Sequence, residues 1–231
     1  MTLVDTGYGE QALERPDVWV GRQLIRQSNP VLDRPIARQV EALGFDRGDV
    51  RDIIVTHLDL DHAGGLADFP QATVHVFQDE LDAVEGAYGH REKFRYRRVQ
   101  FEHGPKWLVY GESDSSDERW FGFQAVRELR GLPPQILMVP LLGHTRGHVG
   151  VAVDTGNGWL LHAGDAYTYH GQMAVQPSMP LGTRVFQWYV DTRRESRIEN
   201  QQRLRELVRT NGDVVTMFSA HCATEFERLS R

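Results

Sequence analysis

The sequence predicts an α/β protein with a layered αββα arrangement, on two observations. Short β-branched apolar runs alternate with segments of helical periodicity, which favours stacked layers over an all-β barrel. Several of those apolar runs end in histidine and aspartate, as strands do when a sheet edge carries a site.

The elements follow in order. "DRPIARQVEALGF", residues 33–45, has helical spacing and Gly44 as its C-cap. "DIIVTHLDLDH", residues 52–62, starts as a buried strand and ends in a polar cluster. "GGLADFP" is a tight turn closed by Pro70, "ATVHVF" (72–77) a second strand and "QDELDAVEGA" the helix after it. Residues 87–130 differ: "HREKFRYRRVQFEHGPKW" is basic and aromatic, and "GESDSSDERW" is an acidic surface turn. This region is expected to be a helical, aromatic insertion, with Phe94, Tyr96, Phe101 and Trp107 packed or roofing a site.

Strands resume at "QILMVPLLGH", "VGVAVDT" and "GWLLHAGDA". "QMAVQPSMPLGTRVFQWY" is expected to be irregular, with Met173, Met179, Phe186, Trp188 and Tyr189 either buried against the next helix or walling a pocket. "RRESRIENQQRLRELVRT", residues 193–210, is an amphipathic helix with Ile198, Leu204 and Leu207 on its apolar side. "DVVTMFSAH" is a final strand ending in a histidine. No repeat, low-complexity tract or linker interrupts the chain, so residues 1–231 read as a single domain.

Composition narrows the function. The chain has 231 residues, 40% hydrophobic and 25% charged, as in an ordinary globular protein. A net charge of −6 argues against a nucleic-acid partner, which calls for a basic face. No apolar run reaches the ~18 residues of a membrane helix. "MTLVDTGYGE" lacks the basic and apolar regions of a signal peptide, and the one cysteine, Cys222, fits a reducing compartment. A cytoplasmic protein without membrane or nucleic-acid partners is expected.

The chemistry concentrates at strand ends: His57, Asp59, Asp61 and His62 in one stretch, then His144, Asp165 and His221. Imidazole nitrogens with carboxylate oxygens suit zinc, iron or manganese. In an extended segment residues two apart point the same way, so His57, Asp59 and Asp61 would converge, with His62 turned to a neighbouring pocket. Such a cluster can serve two adjacent ions. His75, His90, His103 and His170 are expected to be ordinary satisfied polar residues.

The ordered motifs "LVDTG", "THLDLDHAGG", "GHTRGH", "HAGDA" and "SAH" resemble those of metallo-β-lactamase-fold hydrolases, in the branch of lactonases and glyoxalase II, from Leu3 to about Phe226. The resemblance implies an αββα sandwich with two divalent metal ions, zinc first among the candidates. Carried over by position, His57, Asp59 and His144 would hold the first ion, Asp61, His62 and His221 the second, and Asp165 would bridge. His148 would be structural or support a ligand, and Asp5 would orient a ligand histidine. Asp59 departs from the family's H-x-H-x-D-H pattern, which shifts preference toward iron or manganese and lowers the positive charge that acidifies a bound water. The flavodiiron branch carries glutamate there, so Asp59 is read as a ligand. Relatives also have strands before "DTG", so the N-terminal strands read as truncated or the sheet as starting later; an uncovered edge would favour a homodimer or lower stability.

These features predict a hydrolase in which a metal-bridging hydroxide attacks a small-molecule ester or lactone. Asp61 would orient the nucleophile or carry a proton, and Tyr167 or Tyr169 would polarise the carbonyl. The alternatives are a thioesterase, a phosphodiesterase, for which Arg146 is the nearby basic residue, an iron-dependent oxidoreductase, and a non-catalytic binding protein.

Overall fold

The computed structural model describes residues 1–19, 34–86, 92 and 95–230. His90 and Phe94 lie outside the described residues, as does much of the start of the expected insertion. The chain forms two compact units, one of Met1–Val76 with Leu81–Val109, the other of Phe77–Glu80 with Tyr110–Arg231.

The first unit is built on a four-stranded sheet of order β1-β2-β3-β4: Thr2–Val4, Asp52–Ile54, Thr73–Phe77 and Lys106–Tyr110. The first three strands are parallel, with Leu3 beside Ile53 and Ile53 beside Val74. Ile53, Ile54 and Val55 are all buried, the continuous apolar run of an inner parallel strand. Helices α1 (Glu10–Glu14), α2 (Pro16–Trp19) and α3 (Ile36–Ala42) precede β2, and α4 (Leu60–Ala63) follows it. Gly44 takes a φ of +86° after α3, as its C-cap role requires. β3 runs into α5, Gln78–Gly86. Ala37, Val40, Ile53, Leu58, Leu66 and Val74 form the core of this unit.

The region expected to be a helical insertion is different where it is described. It holds the 3-10 turn Arg98–Phe101 and then β4, an edge strand of the first sheet. The aromatics do not roof a site: Tyr96 is part of the core, with Phe101 and Trp107 packed against it. In "KWLVY" Trp107 and Val109, two residues apart, pack against that core, and the neighbouring arginines obscured the strand.

The second unit carries the other sheet, order β5-β6-β7-β8: Ile136–Pro140, Val149–Asp154, Trp159–His162 and Val215–Phe218. β5, β6 and β7 are antiparallel, and β8 adds parallel to β7. Three helices follow β7: α6 (Leu181–Val190), α7 (Arg194–Asn211) and α8 (Ala223–Leu229). Leu137, Val139, Leu161, Leu204, Leu207 and Met217 form its core.

Two expectations fail in this unit. The stretch read as irregular contains α6, whose Phe186, Trp188 and Tyr189 are 56%, 50% and 60% exposed, so they are not buried against the next helix. Pro180 opens that helix and supplies the start signal. On α7, Leu204 and Leu207 are buried as expected, but Ile198 is exposed. The inward face there is polar instead. Asn200 Nδ2 donates to the Leu142 carbonyl at 2.9 Å, and Gln201 Nε2 to the Ala166 carbonyl at 2.7 Å. Loop carbonyls beside a helix need donors, and isoleucine has none.

Candidate metal centre

The first cluster starts where β2 stops. The chain bends at Thr56, and Asp59 stands with extended backbone at the N-cap of α4, its carbonyl accepting from His62 N at 3.0 Å and Ala63 N at 2.8 Å. The extended geometry expected through Asp61 therefore ends at Asp59. Asp61 and His62 sit on a helical turn, where each offers a ligand atom within 4.8 Å of the other.

Asp5 organises these imidazoles. Its carboxylate accepts from Thr56 N and from Thr56 Oγ1, each at 2.7 Å. The same Oδ2 lies 2.8 Å from His62 Nδ1. With its hydroxyl hydrogen given to Asp5, Thr56 Oγ1 is left to accept from His57 Nδ1, 3.0 Å away. One carboxylate thus places the proton of both rings on Nδ1 and leaves Nε2 as the lone-pair nitrogen, the arrangement that prepares histidine for a metal. Asp5 adopts a φ of +59°, a left-handed conformation that aspartate tolerates. Gly65 packs against this turn so closely that a Cβ on it would meet the Thr6 carbonyl at 2.8 Å.

Asp59 lies beside His57 and Arg95. Oδ2 lies 3.3 Å from His57 Nε2, and Oδ1 lies 2.8 Å from Nε of Arg95. Sequence reading missed Arg95, because nothing in a basic aromatic run marks which cation reaches the cluster. It also passed over Tyr8, whose phenol is pushed well above its usual range by burial and then by the charges of Asp61 and Asp59.

The second cluster lies at the ends of β5, β7 and β8. Asp165 Oδ2 lies 3.6 Å from His144 Nε2 and 3.4 Å from His221 Nε2, so one carboxylate oxygen faces two imidazoles. His148 is fully buried and stands edge-on to the His144 ring, centroids 6.0 Å apart. Its Nδ1 lies 3.0 Å from the Leu141 carbonyl, and its Nε2 accepts from the Asp165 backbone N–H at 2.9 Å. It holds Asp165 in place. Behind His144, Asp191 Oδ1 approaches Nδ1 to 3.9 Å, while Asp191 Oδ2 takes Nε of buried Arg197 at 2.6 Å. Neither residue announced itself in the sequence.

Of the set-aside histidines that are described, His75 Nε2 pairs with Asp52 at 3.1 Å and His170 Nδ1 lies 3.5 Å from buried Cys222 Sγ, whereas His103 departs from the expectation, with a buried Nδ1 that has no hydrogen-bond partner. The tyrosines separate. Tyr169 is half-buried. Tyr167 is fully buried in the core, its hydroxyl donating to Glu225 at 3.0 and 3.1 Å, and burial with that carboxylate raises its phenol far above the usual range. That overturns the expectation that Tyr167 polarises a substrate. Tyr167→Phe is expected to cost about 2 kcal/mol of stability through the lost hydrogen bond to a buried charge. Turnover should stay within about twofold, and a larger loss of turnover in a folded variant would return Tyr167 to the chemistry.

The donor chemistry fits divalent ions: His57 and His62 are oriented through Nδ1, and Asp165 lies beside the Nε2 atoms of His144 and His221. A model of the metallo-β-lactamase superfamily matches residues 2–215. The protein named "Probable metallo-hydrolase Rv2300c", from Mycobacterium tuberculosis, is 38% identical over 222 residues, covering 96% of this chain and 70% of its own. The N-acyl homoserine lactonase AttM of Agrobacterium fabrum is 47% identical over a local 51 residues, 21% of this chain and 19% of its own. Among solved structures, an N-acyl homoserine lactone hydrolase with N-hexanoyl-L-homoserine at its catalytic metal centre is similar at a TM-score of 0.65 and 17% identity, covering 98% of this chain and 78% of that one. The dizinc quorum-quenching lactonase AidC is similar at 0.60 and 17%, covering 96% and 68%. Identities that low speak for the fold alone, which is mixed α/β with two sheets. With its ordered motifs and a match along nearly its whole length, the chain belongs to the metallo-β-lactamase superfamily.

Proposed function

We propose that this metallo-hydrolase holds two divalent ions, zinc foremost, and opens a small ester or lactone. His57, His144 and, through one oxygen, Asp59 are the proposed ligands of the first ion; Asp61, His62 and His221 those of the second, with Asp165 between them. The observation that carries this reading is Asp165 Oδ2, which faces His144 at 3.6 Å and His221 at 3.4 Å, as a bridging carboxylate must. When bound, such a pair of ions supplies an acidified water and a Lewis acid for the leaving oxygen.

The chain's own residues do the rest. Asp5 keeps His57 and His62 in the tautomer that presents Nε2. His148 fixes the backbone of Asp165, and the Asp191–Arg197 pair stands behind His144. Asp61, half-buried at the start of a helical turn, is the proposed proton carrier. The substrate preference is supported by α6, which exposes Phe186, Trp188 and Tyr189 and whose C-cap, Asp191, lies beside His144. An apolar acyl group suits such a helix better than a phosphate does. Tyr169 remains the candidate for carbonyl contact.

Elemental mass spectrometry on protein purified without chelator is expected to find about two ions per chain. N-acyl lactones and short aryl esters are expected to be hydrolysed, the activity lost with chelator and restored by zinc. Turnover of phosphodiesters with none of esters or lactones would overturn the substrate reading, and metal-free active protein would overturn the whole of it.

A further inference from the structure

Asp59 breaks the family's motif by placing a charged residue where a neutral histidine is usual, and the structure gives that charge a counterpart. Arg95 Nε lies 2.8 Å from Asp59 Oδ1, with the two side chains only 12% and 15% exposed. The backbone of Asp59 is held at the N-cap of α4, which fixes where its side chain starts and leaves the carboxylate to these partners. Its other oxygen stays on the His57 side, 3.3 Å from Nε2. A carboxylate has lone pairs enough on two oxygens to serve two partners at once.

We propose that Arg95 is the charge-balancing partner of Asp59, and that the pair acts as one unit in place of the neutral histidine at the first metal position. This rests on the two-ion reading above. Aspartate alone adds one negative charge to the ligand set; aspartate with arginine adds none. The guanidinium also opposes an incoming dication across a mostly buried distance, where screening is weak. Arg95 therefore limits how tightly the first ion is held and keeps the site from drifting toward manganese, which an uncompensated carboxylate favours. It is a positioning residue, acting through Asp59.

The test is titration of the metal-free full chain with zinc and with manganese against a chromophoric chelator. Arg95→Met keeps the aliphatic stem and removes the charge. It is expected to tighten one of the two binding steps about tenfold or more, with the larger gain for manganese, and to leave the other step unchanged; partners outside the ligand shell change metal affinity on about this scale. Arg95→Lys, which keeps the charge, is expected to stay within about threefold of the wild type, which a merely structural role would not explain. The double variant Asp59→Asn with Arg95→Met is expected to lose the gain. Should Arg95→Met not fold, Arg95→Gln carries the same expectation. Two ions bound with equal affinity in wild type and Arg95→Met would overturn the proposal and leave the two-ion reading standing. No divalent binding in any of these proteins would overturn both.

Discussion

Asp165→Asn is expected to lower hydrolysis about a thousandfold or more, equivalent to ~4 kcal/mol of transition-state stabilisation, while the fold persists. Asparagine has the same shape and can keep the backbone hydrogen bond from Asp165 N to His148. What it removes is the charge that faces His144 and His221 through one oxygen. The variant should therefore melt within a few degrees of the wild type and hold fewer than two ions per chain. Steady-state kinetics with metal analysis on the same preparation checks both points. A variant that keeps its rate and its metal would remove Asp165 from the bridging role.

The second large effect is structural. Gly143 has a φ of +142°, and a Cβ placed on it would run into the backbone nitrogen, Cα and Cβ of Arg197. Its carbonyl also accepts from Arg193 N at 2.8 Å and Thr192 N at 3.1 Å, tying the turn before His144 to the start of α7. Alanine adds a forbidden conformation and a clash with backbone that has no flexible end to give way. Gly143→Ala is expected to cost about 3 kcal/mol or more, roughly 10 °C in the thermal midpoint for a chain of this size. Gly156→Ala is the control: its φ is +81°, but nothing lies within 4 Å of the added carbon. It should lose only about 1 kcal/mol, from backbone conformation alone. Equal losses in the two variants would show that contact with Arg197 contributes nothing.

Much of the fold was legible in the sequence because its signals are local. The runs at "DIIV", "TVHVF", "ILMVP" and "VGVAVD" became β2, β3, β5 and β6, since buried strands need continuous apolar residues and these have them. The edge strand Lys106–Tyr110 was hidden because a short apolar run next to arginines and aromatics also fits a helix. Leu181–Val190 was hidden for another reason. Pro177 and Pro180 lie just before it and read as loop, which masked the helical spacing that follows.

The same division runs through the site. By itself the sequence determined which donors the protein has and where along the chain they stand: strand runs that end in His57, His144, Asp165 and His221, and a motif in which Asp59 replaces a histidine. Only the tertiary structure decided what those donors are bound to. Arg95 reaches Asp59, Asp5 turns His57 and His62, Asp191 with Arg197 backs His144, and Glu225 takes Tyr167 out of the chemistry. Those pairings join residues far apart in the chain, and a buried charge takes whichever partner the packed backbone brings within hydrogen-bond distance. Sequence spacing records local geometry; the choice of partner is made only once the chain has closed around the site.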